Sequence, residues 1–290
     1  MAETKYVWRR VSRGLLLMGL GTFLLLTTLD VLPWTFWVRL LPYWPIVLVM
    51  VGVRMMFERS RAPWGILLSP VLLIALMTYV AVGESQVSFG PGSPVRASRP
   101  PEAERWELEG TLARARLDLR ARPLPDDVLV EGEVAGRGGR PRLTVGGNDE
   151  SPRVQVRNLR RDSVVVLWPS KDGAIEADVA SDLPMAADLE LTMVEGVLDL
   201  AQVPVSRVDL VGALQDITLR LGVPEEEVRI SLKGAFNRLI LEVPASTQVR
   251  TSSGGFMNFT RGRKDLEGRS GPGYRVRVRG TGNRLVVRSH

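Results

Sequence analysis

KGAFNRLILEV at Lys233–Val243 and RGTGNRLVVRS at Arg279–Ser289 share one phrase: glycine, two variable residues, Asn-Arg-Leu and an alternating apolar tail. Aligning glycines extends it to GTLARARL at Gly110, GALQDITL at Gly212, GAFNRLIL at Gly234, GGFMNFTR at Gly254 and GTGNRLVV at Gly280, with a shortened GVLDL at Gly196. From Gly212 onward these glycines lie 22, 20 and 26 residues apart, the period of one coil or hairpin in a repetitive β architecture. Glycine lets the chain turn with positive φ, and Asn237 and Asn283 read as turn residues rather than ligands. Side chains two apart after each glycine, such as Leu239 and Leu241 or Leu285 and Val287, can then enter a shared core. One unit alone leaves a strand face wet, so the units stabilise one another by stacking.

Around this repeat the pattern stays at period two. DLELTM places Leu189, Leu191 and Met193 on one face, and YRVRVRG turns Val276 and Val278 inward. SVVVLWPSKDGAIEADV reads as a hairpin turning at Asp172-Gly173, a pair suited to positive φ. No amphipathic helix follows residue 84. The expected organisation is a Pro/Ser/Gly-rich linker over 84–104, a β-rich extension over 105–180 and an all-β repetitive domain over 181–290.

Residues 1–83 differ in kind. Apolar stretches at 14–32, 41–57 and 63–83 approach the roughly 17–25 residues a membrane helix needs. Trp8, Trp34, Trp37, Trp44 and Trp64 sit near their ends, as an interfacial belt requires. Three spans are expected; two, or four with a re-entrant segment around 34–41, are the alternatives. The net charge of +6 divides unevenly: residues 1–83 hold 8 Lys/Arg against 3 acids, the rest 30 against 29. The basic excess is therefore a membrane signature and gives no reason to invoke nucleic acid. Lys5, Arg9, Arg10 and Arg13 before the first span, and Arg54, Arg59 and Arg61 before the third, place those segments in the cytoplasm. Three spans then carry the β-domain outside the inner membrane.

The stretch GLLLMGLGTFLLLTTLDVLPW…YWPIVLVMVGVRMMFERS resembles the membrane region shared by the LiaI and LiaF group. The run from SDLPMAADLEL to RGTGNRLVVRS resembles the toastrack β-domain of bacterial envelope-stress proteins, a single-stack, β-solenoid-like fold. Together they resemble a LiaF-like, cell-wall-active antibiotic response protein. The resemblance implies a regulator or scaffold acting on a membrane partner such as a sensor histidine kinase, and it brings no catalytic residues. The LiaF pattern has four spans where three are counted here, and a fourth would reverse the side of the β-domain.

Chemistry has little to work with. There is no cysteine, and the single histidine is the last residue, His290, so thiolate sites, histidine metal clusters and a Ser-His-Asp triad lack their parts. No cofactor is expected. Glu225, Glu226 and Glu227 read as an exposed turn rather than a carboxylate pair, and Gly136, Gly138 and Gly139 as a hairpin loop. The feature above background is basic. Arg275, Arg277 and Arg279 share one strand face, Arg284 and Arg288 share a face of the next strand, and Arg261, Arg263 and Lys264 precede them. Such a surface suits anionic lipid, wall polymer or an acidic partner; its plain alternative is a solvated, edge-protecting face. The expectation is a non-enzymatic membrane regulator, with an envelope-binding module as the alternative and homo-oligomers left open.

Overall fold

A computed structural model of the chain describes residues 92–136, 142–158, 173–262 and 271–290, and short helical pieces between residues 14 and 78. The spans expected at 14–32, 41–57 and 63–83 lie for the most part outside the described residues. No helix among the described residues is long and apolar enough to cross a membrane.

Period-two alternation becomes strand throughout the remainder. β1 (Ser93–Ser98) is followed by β2 (Trp106–Ala113) and β3 (Ala115–Arg122), then β4 (Val128–Gly136), β5 (Arg142–Asn148), β6 (Ser151–Asn158) and β7 (Gly173–Ala180). Five two-strand rungs come next: β8 (Met185–Thr192) with β9 (Glu195–Leu200), β10 (Val205–Ala213) with β11 (Asp216–Leu221), β12 (Val228–Ala235) with β13 (Arg238–Val243), β14 (Gln248–Phe256) with β15 (Phe259–Arg261), and β16 (Gly273–Thr281) with β17 (Arg284–Ser289).

The first strand of each rung enters an eight-stranded sheet ordered β14-β16-β12-β10-β8-β2-β6-β5. The second enters a nine-stranded sheet ordered β1-β4-β7-β3-β9-β11-β13-β17-β15. Rung strands pair in parallel, whereas β1–β4, β4–β7 and β5–β6 are antiparallel. Two rungs sit out of chain order: β16/β17 lies between β12/β13 and β14/β15, and β2/β3 lies between β8/β9 and β6/β7.

Parallel register lines up equivalent residues, and the core is built of such rows. Leu189, Leu210, Leu232 and Val278 form one row inside the first sheet. Leu198, Leu219, Leu241 and Val287 form its counterpart inside the second. All eight are at most 5% exposed, the kind of apolar burial that supplies most folding free energy.

Several expectations need correction. Ser93–Ser98, assigned to the linker, is a strand: Ala97 is buried, Val95 packs against the core, and β4 supplies the ladder. Within the β-rich extension of 105–180, β2 and β3 pair directly with β8 and β9. Of the hairpin expected around Asp172-Gly173, the first strand lies outside the described residues. The second is β7, paired with β3 and β4.

The glycine alignment also shifts. Gly212, Gly234, Gly280 and Gly255, not Gly254, occupy one row. Gly110 is not a turn residue: it pairs with Leu189 in the middle of the core, and the Leu189 side chain takes the space its own would fill. In the Gly212 row its rung carries Leu112, as β8 carries Leu191. Gly196 lies past the corner in β9, beside Leu117 and Ile217.

The corners explain the repeat. A Cβ on Gly234 would lie 1.7 Å from the Gly212 carbonyl oxygen, and one on Gly280 1.8 Å from that of Gly234. Two residues later the chain enters the left-handed region, at Leu214 (φ 60), Phe236 (φ 56) and Met257 (φ 54). The backbone N–H of Leu214 donates to the Ala235 carbonyl (3.0 Å) and that of Phe236 to the Thr281 carbonyl (2.8 Å). Next comes a ladder of amides. Asn237 Oδ1 accepts the Gln215 N–H (3.2 Å) and its Nδ2 donates to the Gly212 carbonyl (3.1 Å). Asn283 and Asn258 repeat both bonds one rung further on. Gln215, Asn237 and Asn283 are at most 1% exposed, and their amides satisfy backbone groups that would otherwise be buried unpaired. Glycine leaves room for the amide; in the β2 and β8 rungs, Leu112 with Ala115 and Leu191 with Val194 fill the same corner with hydrocarbon.

Candidate functional site

The outward residues of the two sheets follow different rules. On the nine-stranded sheet one row, Asp199, Arg220, Glu242 and Arg288, alternates in sign and pairs across rungs, while a second row sets Glu195 beside Asp216 and Arg238 beside Arg284. Arg220 bridges Asp199 (2.9 Å) and Glu242 (3.0 Å), and Arg238 reaches Asp216 (3.5 Å). The hydrogen bond to Glu242, followed by that to Asp199, raises the Arg220 pKa and keeps its guanidinium charged.

On the eight-stranded sheet the signs separate. Arg207, Arg229, Arg275 and Arg250 stand in register on four successive strands, β10, β12, β16 and β14. Two residues along, Arg277 lies between Ser231 and Ser252; two further, Arg279 stands beside Lys233. Adjacent strands are about 4.8 Å apart, and like charges directly opposite destabilise a sheet. Arg275 is relieved by Glu227 (2.9 Å) and Arg207 by Glu107 (3.1 Å) and Asp209 (3.3 Å). Arg229, Lys233, Arg250, Arg277 and Arg279 are exposed and have no ion-pair partner among the described residues.

Further along the same sheet the face turns acidic, with Asp209, Asp188 and Glu109 side by side. Glu109 is met by Arg153 (3.0 Å). Burial, and then the charge of Asp209, push the Asp188 carboxyl above its ordinary range, against an opposing pull from Arg207.

The sequence-derived basic set is therefore divided. Arg275, Arg277 and Arg279 form the centre of the cationic face. Arg284 and Arg288 belong to β17 on the other sheet, and Arg261 ends β15 on that sheet as well. Arg263 and Lys264 lie outside the described residues. Glu225 and Glu226 are exposed in the turn before β12, as read, and Glu227 pairs with Arg275.

Sequence reading missed Arg207, Arg229, Lys233 and Arg250, although a signal was present. Each arginine of the four-strand row stands five residues before the glycine of its own rung: Gly212, Gly234, Gly255 and Gly280. Aligning on Gly254 hid the offset. Also missed was an apolar cluster at the corner of the same end rung, where Phe256, Met257 and Phe259 are 68%, 56% and 62% exposed.

Residues 12–91 match the family described as the LiaF transmembrane domain. No curated protein matches the chain. Among solved structures, a proposed cell adhesion protein from Clostridium sporogenes is similar, with a TM-score of 0.59 at 13% identity. The match covers 69% of this chain and 100% of that one. At that identity the likeness is one of fold.

Proposed function

We propose that this chain, whose residues 12–91 match the LiaF transmembrane domain and whose remainder is a β-repeat stack, is a non-enzymatic regulator or scaffold of the envelope-stress response. The observation that carries the reading is the LiaF transmembrane domain at residues 12–91. On this reading the β-domain is a toastrack-type stack held at the inner membrane on its outer side. It acts on a membrane signalling partner, such as a sensor histidine kinase, by offering a surface rather than by chemistry. The cationic face of the eight-stranded sheet supports this, because four arginines in register on adjacent strands cost stability within the fold.

Crosslinking of the full chain in its native membranes should recover a kinase or another membrane regulator, and deletion should change the output of an envelope-stress reporter. Failure of both rejects the regulatory role. Sidedness has its own test in a chain without cysteine. A single cysteine replacing Ser289 should react with an impermeant reagent in intact cells; reaction only after the membrane is breached puts the β-domain in the cytoplasm.

A further inference from the structure

The cationic face and the exposed apolar cluster meet at one end of the stack. Along β14, alternate residues from Arg250 to Phe256 point outward, so Phe256 shares a face with Arg250 and with Arg275, Arg277 and Arg279 of β16. Met257 follows in the left-handed corner (φ 54) and Phe259 opens β15. Three large apolar side chains more than half exposed within four residues are costly in water unless something covers them. The unpaired cations beside them call for an anion.

An acidic polymer would answer the cations and leave the phenyl rings wet. An apolar protein groove would answer the rings and leave Arg229, Lys233, Arg250, Arg277 and Arg279 without counter-charge. A bilayer with anionic headgroups offers both in the right order, charge at the surface and hydrocarbon beneath it. It needs no pocket, which suits cations spread over adjacent strands. A bilayer also belongs to this chain's setting, since its residues 12–91 match the LiaF transmembrane domain. Tethering makes even a weak contact effectively intramolecular.

We propose that the outward face of β14, β16 and β12, with Phe256, Met257 and Phe259 as its inserting edge, is a docking surface for anionic phospholipid bilayers. Contact depends on lipid charge: Arg250, Arg277, Arg279 and Lys233 lie over the headgroups while the apolar edge enters the interface. β1 and β15 are opposite edges of the nine-stranded sheet, so docking engages the end of the stack farthest from where the chain enters it. The proposal goes beyond the regulatory reading and needs no protein partner, so either can fail without the other.

The test uses the full chain with Met257→Cys carrying an environment-sensitive fluorophore, reconstituted in nanodiscs of phosphatidylcholine alone or mixed with phosphatidylglycerol. Both leaflets of a disc have the same composition, so the outcome does not depend on sidedness. A blue shift is expected only in the anionic discs, with quenching by brominated acyl chains and reversal at high salt. Neutralising Arg277, Arg279 or Lys233 to Gln should lower the docked-to-free ratio about fivefold per charge. Phe256→Ser should weaken quenching while leaving the circular dichroism of the β-domain unchanged. Identical emission in both lipids overturns the proposal. So does a shift that grows with the number of chains per disc, which marks a second copy as the occupant. A shift that appears only when an acidic protein is added overturns it as well.

Discussion

A carbonyl oxygen of the neighbouring rung decides which glycines matter. Gly234 has φ +128, and a Cβ there would meet the Gly212 oxygen at 1.7 Å, whereas a Cβ on Gly254 meets nothing within 4 Å. Gly234→Ala is therefore expected to cost about 3 kcal/mol or more, and Gly254→Ala to stay within about 0.5 kcal/mol of the parent. Urea-dependent proteolysis of the solubilised chain measures both, and equal losses would contradict the corner geometry. The amide ladder yields a second contrast. Asn237→Ala strands the buried Gln215 N–H and the Gly212 carbonyl, a loss of about 2–4 kcal/mol for two unmade partners. Asn258 makes the same kind of bonds in the end rung but is only half-buried. Water can replace its amide there, so Asn258→Ala should cost about 1 kcal/mol. An Asn258 loss matching that at Asn237 would mean the ladder acts through the turn alone.

Strands show where a single residue ties one element to another. Tyr274 of β16 is buried, 3% exposed, and its hydroxyl donates to the Gly222 carbonyl in the turn before β12 (2.7 Å). Burial pushes its phenol above the ordinary range. Above a pH of about 10 the unfolded chain releases this proton while the folded chain retains it, so the unfolded state binds fewer protons and stability falls as pH rises. Tyr274→Phe should flatten that alkaline decline and cost about 1 kcal/mol at neutral pH through the lost hydrogen bond. A decline unchanged in the variant would assign it to other groups. How far such elements were legible in sequence depended on what they bury. β8, β12, β13 and β16 announce themselves because Leu189, Leu232, Leu241 and Val278 recur at period two against polar neighbours. β1 has only Val95 and Ala97 to turn inward, too little apolar signal to stand out from a Pro- and Ser-rich stretch. The cationic face was half legible. Arg275, Arg277 and Arg279 show their common side within one strand, but Arg229 and Arg250 join them only through register, and register is a tertiary property.

At the scale of the whole β-domain, strand order is the feature no local pattern specifies. The Gly-x-x-Asn corners of the β12, β14 and β16 rungs are alike enough that each offers its neighbour the same carbonyl and the same amide, so the repeat alone permits stacking in chain order. The chain instead inserts its last rung: β16 pairs with both β12 and β14, and β17 with both β13 and β15. One reason lies in the core row. β14 presents Thr251 and Ser253 on its inward side, where β16 presents Val276 and Val278, so the polar strand suits the wet end of the stack and the apolar strand its interior. Repeat stacks are held by nearest-neighbour interfaces, which makes the insertion testable. A chain ending at Ser270 retains β14 and β15 but loses β16 and β17, the strands against which they form their ladders. Hydrogen exchange in that variant should show β14 and β15 unprotected, with β8 to β11 still slow. If β14 and β15 remained as protected as in the full chain, they would have moved inward onto β12 and β13. The polar row of Thr251 and Ser253 would then not be what holds that rung at the edge.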